Sequence, residues 1–335
     1  MADTTAGEIN SMNGSNVTNE PNDPCFNLDE KLMKYYLPVM YSFIFFIGLI
    51  GNIIAITVYI FKIRPWKSNT VINCNLILTD LLYVSSLPFI IYSYINSNSW
   101  KLGEFMCKFT RLIFYLNLYG SIMFLMCLSI FRFLVIIYPL RAYEVQKKPW
   151  AFLACCLVWL ITIAEVLPMI TFITLESKSN TFTCLDFGSS PNPEQLLVYS
   201  WILTVLGYLI PLLIIFICSL KIVYTLKKGP YVNLASKLRA RRLIIVILIV
   251  FTICFLPLHL FRLLRLYFRL PNVTETCLTH TVNAIYIITR PIAALHTFCN
   301  LALYIIDDNF KQALISLFTC KSQSETRNSR EHLHK

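Results

Sequence analysis

The sequence predicts an all-α membrane protein: a seven-transmembrane helix bundle with its N-terminus outside and a short cytosolic amphipathic helix after the seventh span. Composition is the first observation behind this. Of 335 residues, 56% are hydrophobic and 14% charged, and the mean hydropathy is +0.62; a soluble domain carries about 25% charged residues. The second is a set of seven apolar runs, roughly 36–61, 70–95, 104–137, 150–173, 196–226, 238–268 and 279–306. Each is long enough for a ~30 Å hydrocarbon core, which takes about 20 helical residues. Backbone groups in lipid must be satisfied internally, so a span is a helix or part of a closed barrel. Barrel strands are about ten residues of alternating polarity, and these runs are longer and do not alternate.

Loop charge is the third observation. The loop after the first run holds Lys62, Arg64 and Lys67; the loop after the third holds Arg141, Lys147 and Lys148. The loop after the fifth holds Lys227, Lys228, Lys237, Arg239, Arg241 and Arg242. The opposite loops carry few cations, so the positive-inside rule puts the N-terminus outside and the C-terminus in the cytosol. The formal net charge of +11 is therefore mainly topogenic. Its cations cluster beside spans, which argues against a nucleic-acid partner.

Residues 1–35 form an extracellular tail rich in Asp and Glu. No short apolar stretch precedes the first run, so that run is expected to act as its own insertion signal. Asn13, Asn16 and Asn272 each open an N-x-S/T sequon, the pattern of glycosylation on an outer segment. Residues 36–306 are the membrane domain, without an internal repeat. A helix from Lys237 to Arg269 would be about 50 Å long, so the sixth should project into the cytosol. Asp308 and Asn309 can cap an interfacial helix within 307–320, where Phe310, Leu314, Leu317 and Phe318 recur at helical spacing and suit the inner leaflet. Residues 321–335 are a cytosolic tail.

Twelve cysteines sort by compartment. Cys25, Cys107, Cys184 and Cys277 fall outside, where disulfides persist, and four cysteines allow three pairings. Cys74, Cys127, Cys155, Cys156, Cys218, Cys254 and Cys299 lie within spans as packing residues. Cys320 follows the amphipathic segment, as a palmitoylation site or a free cytosolic thiol.

Ionisable groups inside a membrane are functional candidates because they are costly to insert, about 2.5–3.5 kcal/mol at a helix centre. Asp80 is mid-way through the second run, Asn117 and Ser121 share a face of the third, and Asn300 lies in the seventh. Asp80, Ser121 and Asn300 suit an allosteric sodium ion; the rival reading is a hydrogen-bonded polar cluster. No other cofactor is expected. Arg132, flanked by apolar residues, reads from spacing alone as an arginine snorkelling to the interface. Glu165 in the fourth run receives no role. No metal cluster or nucleophile–base pair falls within the spans, so an enzyme is not expected.

The outer half holds Arg111, then Tyr115 one turn on; His259, Arg262 and Arg265 in the sixth run; and Arg290 beside Pro291 in the seventh. Four arginines on three helices, without acids beside them in sequence, would repel one another if they converged. A small anionic ligand among them removes that repulsion, and the planar guanidinium fork matches carboxylate or phosphate. The alternative sends each arginine separately to membrane lipid headgroups.

Gly51-Asn52, Asn75-Leu76 to Asp80, Trp100 and Cys107, Arg132, Trp159, Pro211, Phe251-x-x-Cys254-Phe255-Leu256-Pro257 and Asn300 to Tyr304 stand in the order and spacing of one family. The chain resembles rhodopsin-class G-protein-coupled receptors over about residues 35–320. The resemblance implies a multi-pass plasma-membrane receptor for a heterotrimeric G protein, with Arg132 and Tyr304 in the coupling machinery. It also implies a Cys107–Cys184 disulfide and, as in the purinergic branch, a Cys25–Cys277 disulfide. His259-Leu260-Phe261-Arg262-Leu263-Leu264-Arg265 is similar to the helix-6 basic motif of nucleotide and carboxylate receptors. The strings Tyr59 to Ser68, Phe105 to Phe109, Ser129 to Arg132 and Arg290 to Leu295 look most like the receptors that sense 2-oxoglutarate. This implies a dicarboxylate anchored by Arg111, Arg262, Arg265 and Arg290, assisted by His259 and Tyr115, and signalling mainly through Gq-type proteins. Succinate, itaconate, a nucleotide or a cysteinyl leukotriene are the alternative ligands; an anion transporter is the rival from another class.

Four positions depart from the family pattern. Phe131 replaces the acid before Arg132, which is expected to raise basal activity. Leu301 replaces the proline after Asn300, Ser219 stands in place of a tyrosine, and His296 stands where an asparagine often helps to hold sodium.

Overall fold

The computed structural model describes residues 28–318, apart from 97, 139–146, 179–180, 188–191, 229–233 and 272–275. Asn13, Asn16, Asn272, Cys25 and Cys320 lie outside the described residues. Helices α1 (Leu28–Phe61), α2 (Ser68–Ile95), α3 (Gly103–Ile137), α4 (Lys148–Thr171), α5 (Pro193–Lys227) and α6 (Lys237–Phe268) are long and apolar enough to cross a membrane. The seventh, α7, is made of Cys277–Ala294 and His296–Ile306, and α8 spans Asp308–Phe318.

The bundle is inside-out relative to a soluble protein. Val39, Phe43, Phe46, Ile50 and Ile53 make an exposed apolar stripe along α1, as do Leu153, Leu157, Leu160 and Ile161 on α4. Helix α3 instead buries residues on all its faces, including Leu118, Tyr119, Ile122, Met123, Phe124 and Leu125. An all-round apolar helix belongs in the middle of a bundle, and α3 is the axis on which the others pack. Gly207 permits one close approach: a Cβ there would lie 2.6 Å from the Tyr119 ring. Across the bundle, Trp159 Nε1 on α4 donates to Asn75 Oδ1 on α2 at 2.9 Å.

Prolines shape three helices. A proline lacks its N–H and crowds the carbonyl four residues back. In α5 the turns before Pro211 widen to a π-helix over Val205–Leu209, and in α6 those before Pro257 widen over Val250–Phe255. In α7 the single expected helix is broken. Beyond Pro291, the Leu295 N–H is shared between the carbonyls of Pro291 and Ile292, both at 3.1 Å, and the helix restarts at His296. Helix α1 starts at Leu28, ahead of the expected 36, because Leu32, Met33 and Tyr36 add to the cluster containing Leu37, Tyr41, Tyr94 and Ile287.

The all-α bundle carries one addition in a loop. Between α4 and α5 an antiparallel hairpin pairs β1 (Leu175–Lys178) with β2 (Thr181–Cys184), in register from Leu175↔Cys184 to Lys178↔Thr181. Four-residue strands carry too little alternation to be read from sequence. The Cys107–Cys184 disulfide ties this hairpin to the outer end of α3, and the Trp100 N–H donates to the Phe182 carbonyl at 2.6 Å. The segment after Cys184 is thereby laid across the mouth of the bundle at the N-terminal end of α3.

Candidate ligand site

Asp186, two residues beyond that disulfide, is the centre of the candidate site at that mouth. Its side chain is buried. Oδ1 accepts from the Tyr115 hydroxyl at 3.1 Å and from the Phe187 N–H at 2.9 Å; Oδ2 accepts from the Tyr286 hydroxyl at 3.1 Å. Arg290 Nε lies 3.7 Å from Oδ2. Burial alone would raise the Asp186 carboxyl, but Arg290, Arg111 and Arg265 outweigh it and hold the group at about 2.

Each arginine is steered by its own partners. Arg111 donates through Nη2 to the Cys184 carbonyl at 3.1 Å, and Arg290 through Nη2 to the Tyr94 hydroxyl at 3.0 Å. Arg265 donates through Nε to Asn283 Oδ1 at 2.5 Å and stacks over the Tyr286 ring at 4.9 Å. Asn283 in turn donates to Asp29 Oδ2 on α1 at 2.5 Å.

Arg262 and His259 form a second, separate group. Arg262 Nη1 donates to the Tyr119 hydroxyl at 2.8 Å, and Nη2 faces Thr204 Oγ1 at 3.4 Å and His259 Nδ1 at 3.2 Å. Arginine has only donors, so His259 Nδ1 accepts here and its hydrogen sits on Nε2. The His259 ring stacks on Tyr208 at 4.6 Å. The Arg262 guanidinium also lies 5.9 Å from the Phe187 ring, next in sequence to Asp186. Arg262 Nε and His259 Nε2 are buried without hydrogen-bond partners, so this group has donors to spare.

The expected convergence is present in two groups: Arg111, Tyr115, Arg265 and Arg290 act on Asp186, and His259 with Arg262 form the other. The arginines have no acid beside them in sequence, yet one reaches them in space. The loop supplies it from 75 residues beyond Arg111. Its signal was an aspartate two residues after a cysteine already assigned to the outside. Tyr119, one turn beyond Tyr115 on the same face, could have been found by spacing. Tyr94, Thr204, Asn283 and Tyr286 had no such signal. Glu165 belongs to neither group among the described contacts; its Oε2 is buried without a hydrogen-bond partner.

At the other end, Arg132 lines a cleft with Ser129, Ile136, Ser219, Ile222, Leu243 and Ile247. Its Nη1 is buried without a hydrogen-bond partner, and Phe131 is packed in the core. Tyr304 is buried edge-on to Tyr59 at 5.8 Å. Arg239 on α6 pairs with Asp308 at the start of α8.

Residues 51–304 match the family of 7 transmembrane receptors (rhodopsin family). The chain belongs to that family. This receptor is a multi-pass protein of the plasma membrane, couples to a G protein, takes a small-molecule ligand and is not an enzyme. It is 46% identical to 2-oxoglutarate receptor 1 of Rattus norvegicus over 86% of this chain and 85% of that one. Identity to succinate receptor 1 of the same organism is 36%, over 86% and 92% of the two chains. To a purinoceptor of Mus musculus it is 37%, over 84% and 76%. The likeness to 2-oxoglutarate receptors drawn from four short strings thus holds along most of the chain. The Cys107–Cys184 bond is formed as expected. Cys277 is disulfide-bonded, while Cys25, its expected partner, is outside the described residues.

Proposed function

We propose that this receptor senses 2-oxoglutarate, binding it between the Asp186 group and the Arg262 group, and signals mainly through Gq-type proteins. The observation that carries the reading is the setting of Asp186. A carboxylate already sits among Arg111, Arg290, Tyr115 and Tyr286, so these side chains are oriented for one. Arg262, with unspent donors deeper between α3, α5 and α6, suits a second carboxylate. A ligand with two carboxylates engages both groups; a lone acetate-like anion engages one. The 46% identity to a protein named for 2-oxoglutarate supports this choice over succinate, itaconate, a nucleotide or a cysteinyl leukotriene.

Drawing α3, α6 and α7 together at the outer end would pivot α6 about Pro257, where the π turn has already loosened the ladder. Its inner end would then swing from the cleft at Arg132 and admit the G protein. The ligand drives this only by its differential affinity for the two states. Loop charge supports an orientation with the N-terminus outside and α8 along the inner leaflet; the sequons at Asn13, Asn16 and Asn272 support glycosylation, and the position of Cys320 in sequence supports acylation.

The test is an inositol-phosphate response in transfected cells to a panel of 2-oxoglutarate, succinate, itaconate, nucleotides and leukotrienes. The expected result is the greatest potency for 2-oxoglutarate. Arg290→Ala and Arg265→Ala should each weaken it about 10–100-fold, the scale of a lost charge-assisted hydrogen bond of roughly 1.5–3 kcal/mol. Undiminished potency in both variants would remove the outer group from the site.

A further inference from the structure

The polar pocket around Asp80 has the helices of a sodium site but a different content. Asp80 is fully buried on α2. Asn117 Nδ2 on α3 donates to Oδ1 at 2.8 Å, the Thr297 hydroxyl faces Oδ1 at 3.4 Å, and Asn300 Nδ2 donates to Oδ2 at 3.0 Å. Two amides and a hydroxyl thus present hydrogens to the carboxylate. A hard cation requires the reverse, several oxygens turned toward one point. Asn300 Oδ1 is the pocket oxygen left without a donor, and one such oxygen does not make a coordination shell.

The remaining space is taken by His296, itself 1% exposed. Its Nδ1 lies 2.6 Å from the Ala293 carbonyl. A carbonyl only accepts, so Nδ1 carries hydrogen and the ring orientation is fixed. Nε2 then lies 3.1 Å from Ser121 Oγ and 3.7 Å from Asp80 Oδ1. These are the α3 and α2 oxygens that would have to close on a sodium ion, and between them stands an imidazole nitrogen, a ligand type suited to softer transition metals. The same ring packs on Phe255, centroids 5.1 Å apart, in the widened turn before Pro257.

We infer that the Asp80 pocket does not take sodium, and that the His296 side chain holds the ion's place, accepting from Ser121 on α3 and abutting the pivot of α6. The receptor is then indifferent to sodium as a specific ion. An asparagine in place of the histidine opens the space and supplies an oxygen.

The experiment is thermal melting of the full-length receptor in detergent, in sodium chloride against the same ionic strength of N-methyl-glucamine chloride. It uses no agonist, so its outcome is separate from the identity of the ligand. The wild type is expected to melt at the same temperature in both salts. His296→Asn is expected to gain a saturable, sodium-specific rise of about 2–4 °C, abolished by adding Asp80→Asn. His296→Gln serves the same purpose should the asparagine variant fold poorly. A saturable sodium-specific rise in the wild type, removed by Asp80→Asn, overturns the inference. So does sodium indifference in both folded histidine variants, because the histidine would then not be what excludes the ion.

Discussion

At the scale of single residues, the candidate ligand site is a problem in pairing charge. The arginines were legible as a group because four cations on three apolar helices have no cheap explanation in lipid. Asp186 was not, because a loop acid looks solvated until a disulfide and a hairpin carry it inward. Its titration has a definite sign. Its carboxyl falls from 3.8 to about 2 on folding, so its stabilising contribution is whole above about pH 4 and is lost as pH falls through about 2. Between about pH 5 and about pH 8 Asp186 stays ionised. Any drift of agonist potency with pH in that interval should therefore be identical in wild type and Asp186→Asn, measured as concentration–response curves at stepped extracellular pH. A drift present only in the wild type would show that Asp186 titrates there.

At the scale of elements, the helices followed from apolar length, and their irregularities from proline chemistry that the pattern marks only as positions. The break in α7 was missed because Leu295 is apolar and continues the run; only the hydrogen bonds reveal the restart. One ion pair of α6 bears on the missing acid before Arg132. Phe131 offers no partner, but Arg239 pairs with Asp308, restraining α6 against α8. An exposed pair of this kind is worth about 0–1 kcal/mol. Asp308→Asn should raise agonist-free inositol-phosphate accumulation by up to about 5-fold, the factor 1 kcal/mol allows; unchanged basal signalling at equal surface expression would remove the pair from the restraint. The hairpin element carries a second expectation. Cys184→Ser frees β2 from α3, so agonist response should be lost in receptor that still reaches the surface, scored by an epitope tag. A full response would mean that Trp100 and the β pairing suffice to seat Asp186.

At the scale of the whole molecule, composition, span count and loop charge made the seven-helix architecture legible, because a bilayer leaves few ways to satisfy a backbone. The same constraint hides the site, since side-chain pairings such as Arg262 with Tyr119 depend on which helix faces α3. The outer site also bears on which anions the receptor ignores. Asp186 is tethered two residues from a cross-link, so its carboxylate competes for the arginines at an effective concentration in the millimolar range or above. A free monocarboxylate merely exchanges one carboxylate for another and gains nothing over the tethered rival, whereas a second carboxylate reaching Arg262 tips the exchange. Removing the rival with Asp186→Asn should narrow the potency gap between propionate and 2-oxoglutarate; an unaltered gap would mean the two never compete. On the proposed function the loop would act as a discriminator, setting a background that single charges do not rise above, so that the receptor would count carboxylates rather than merely detect one.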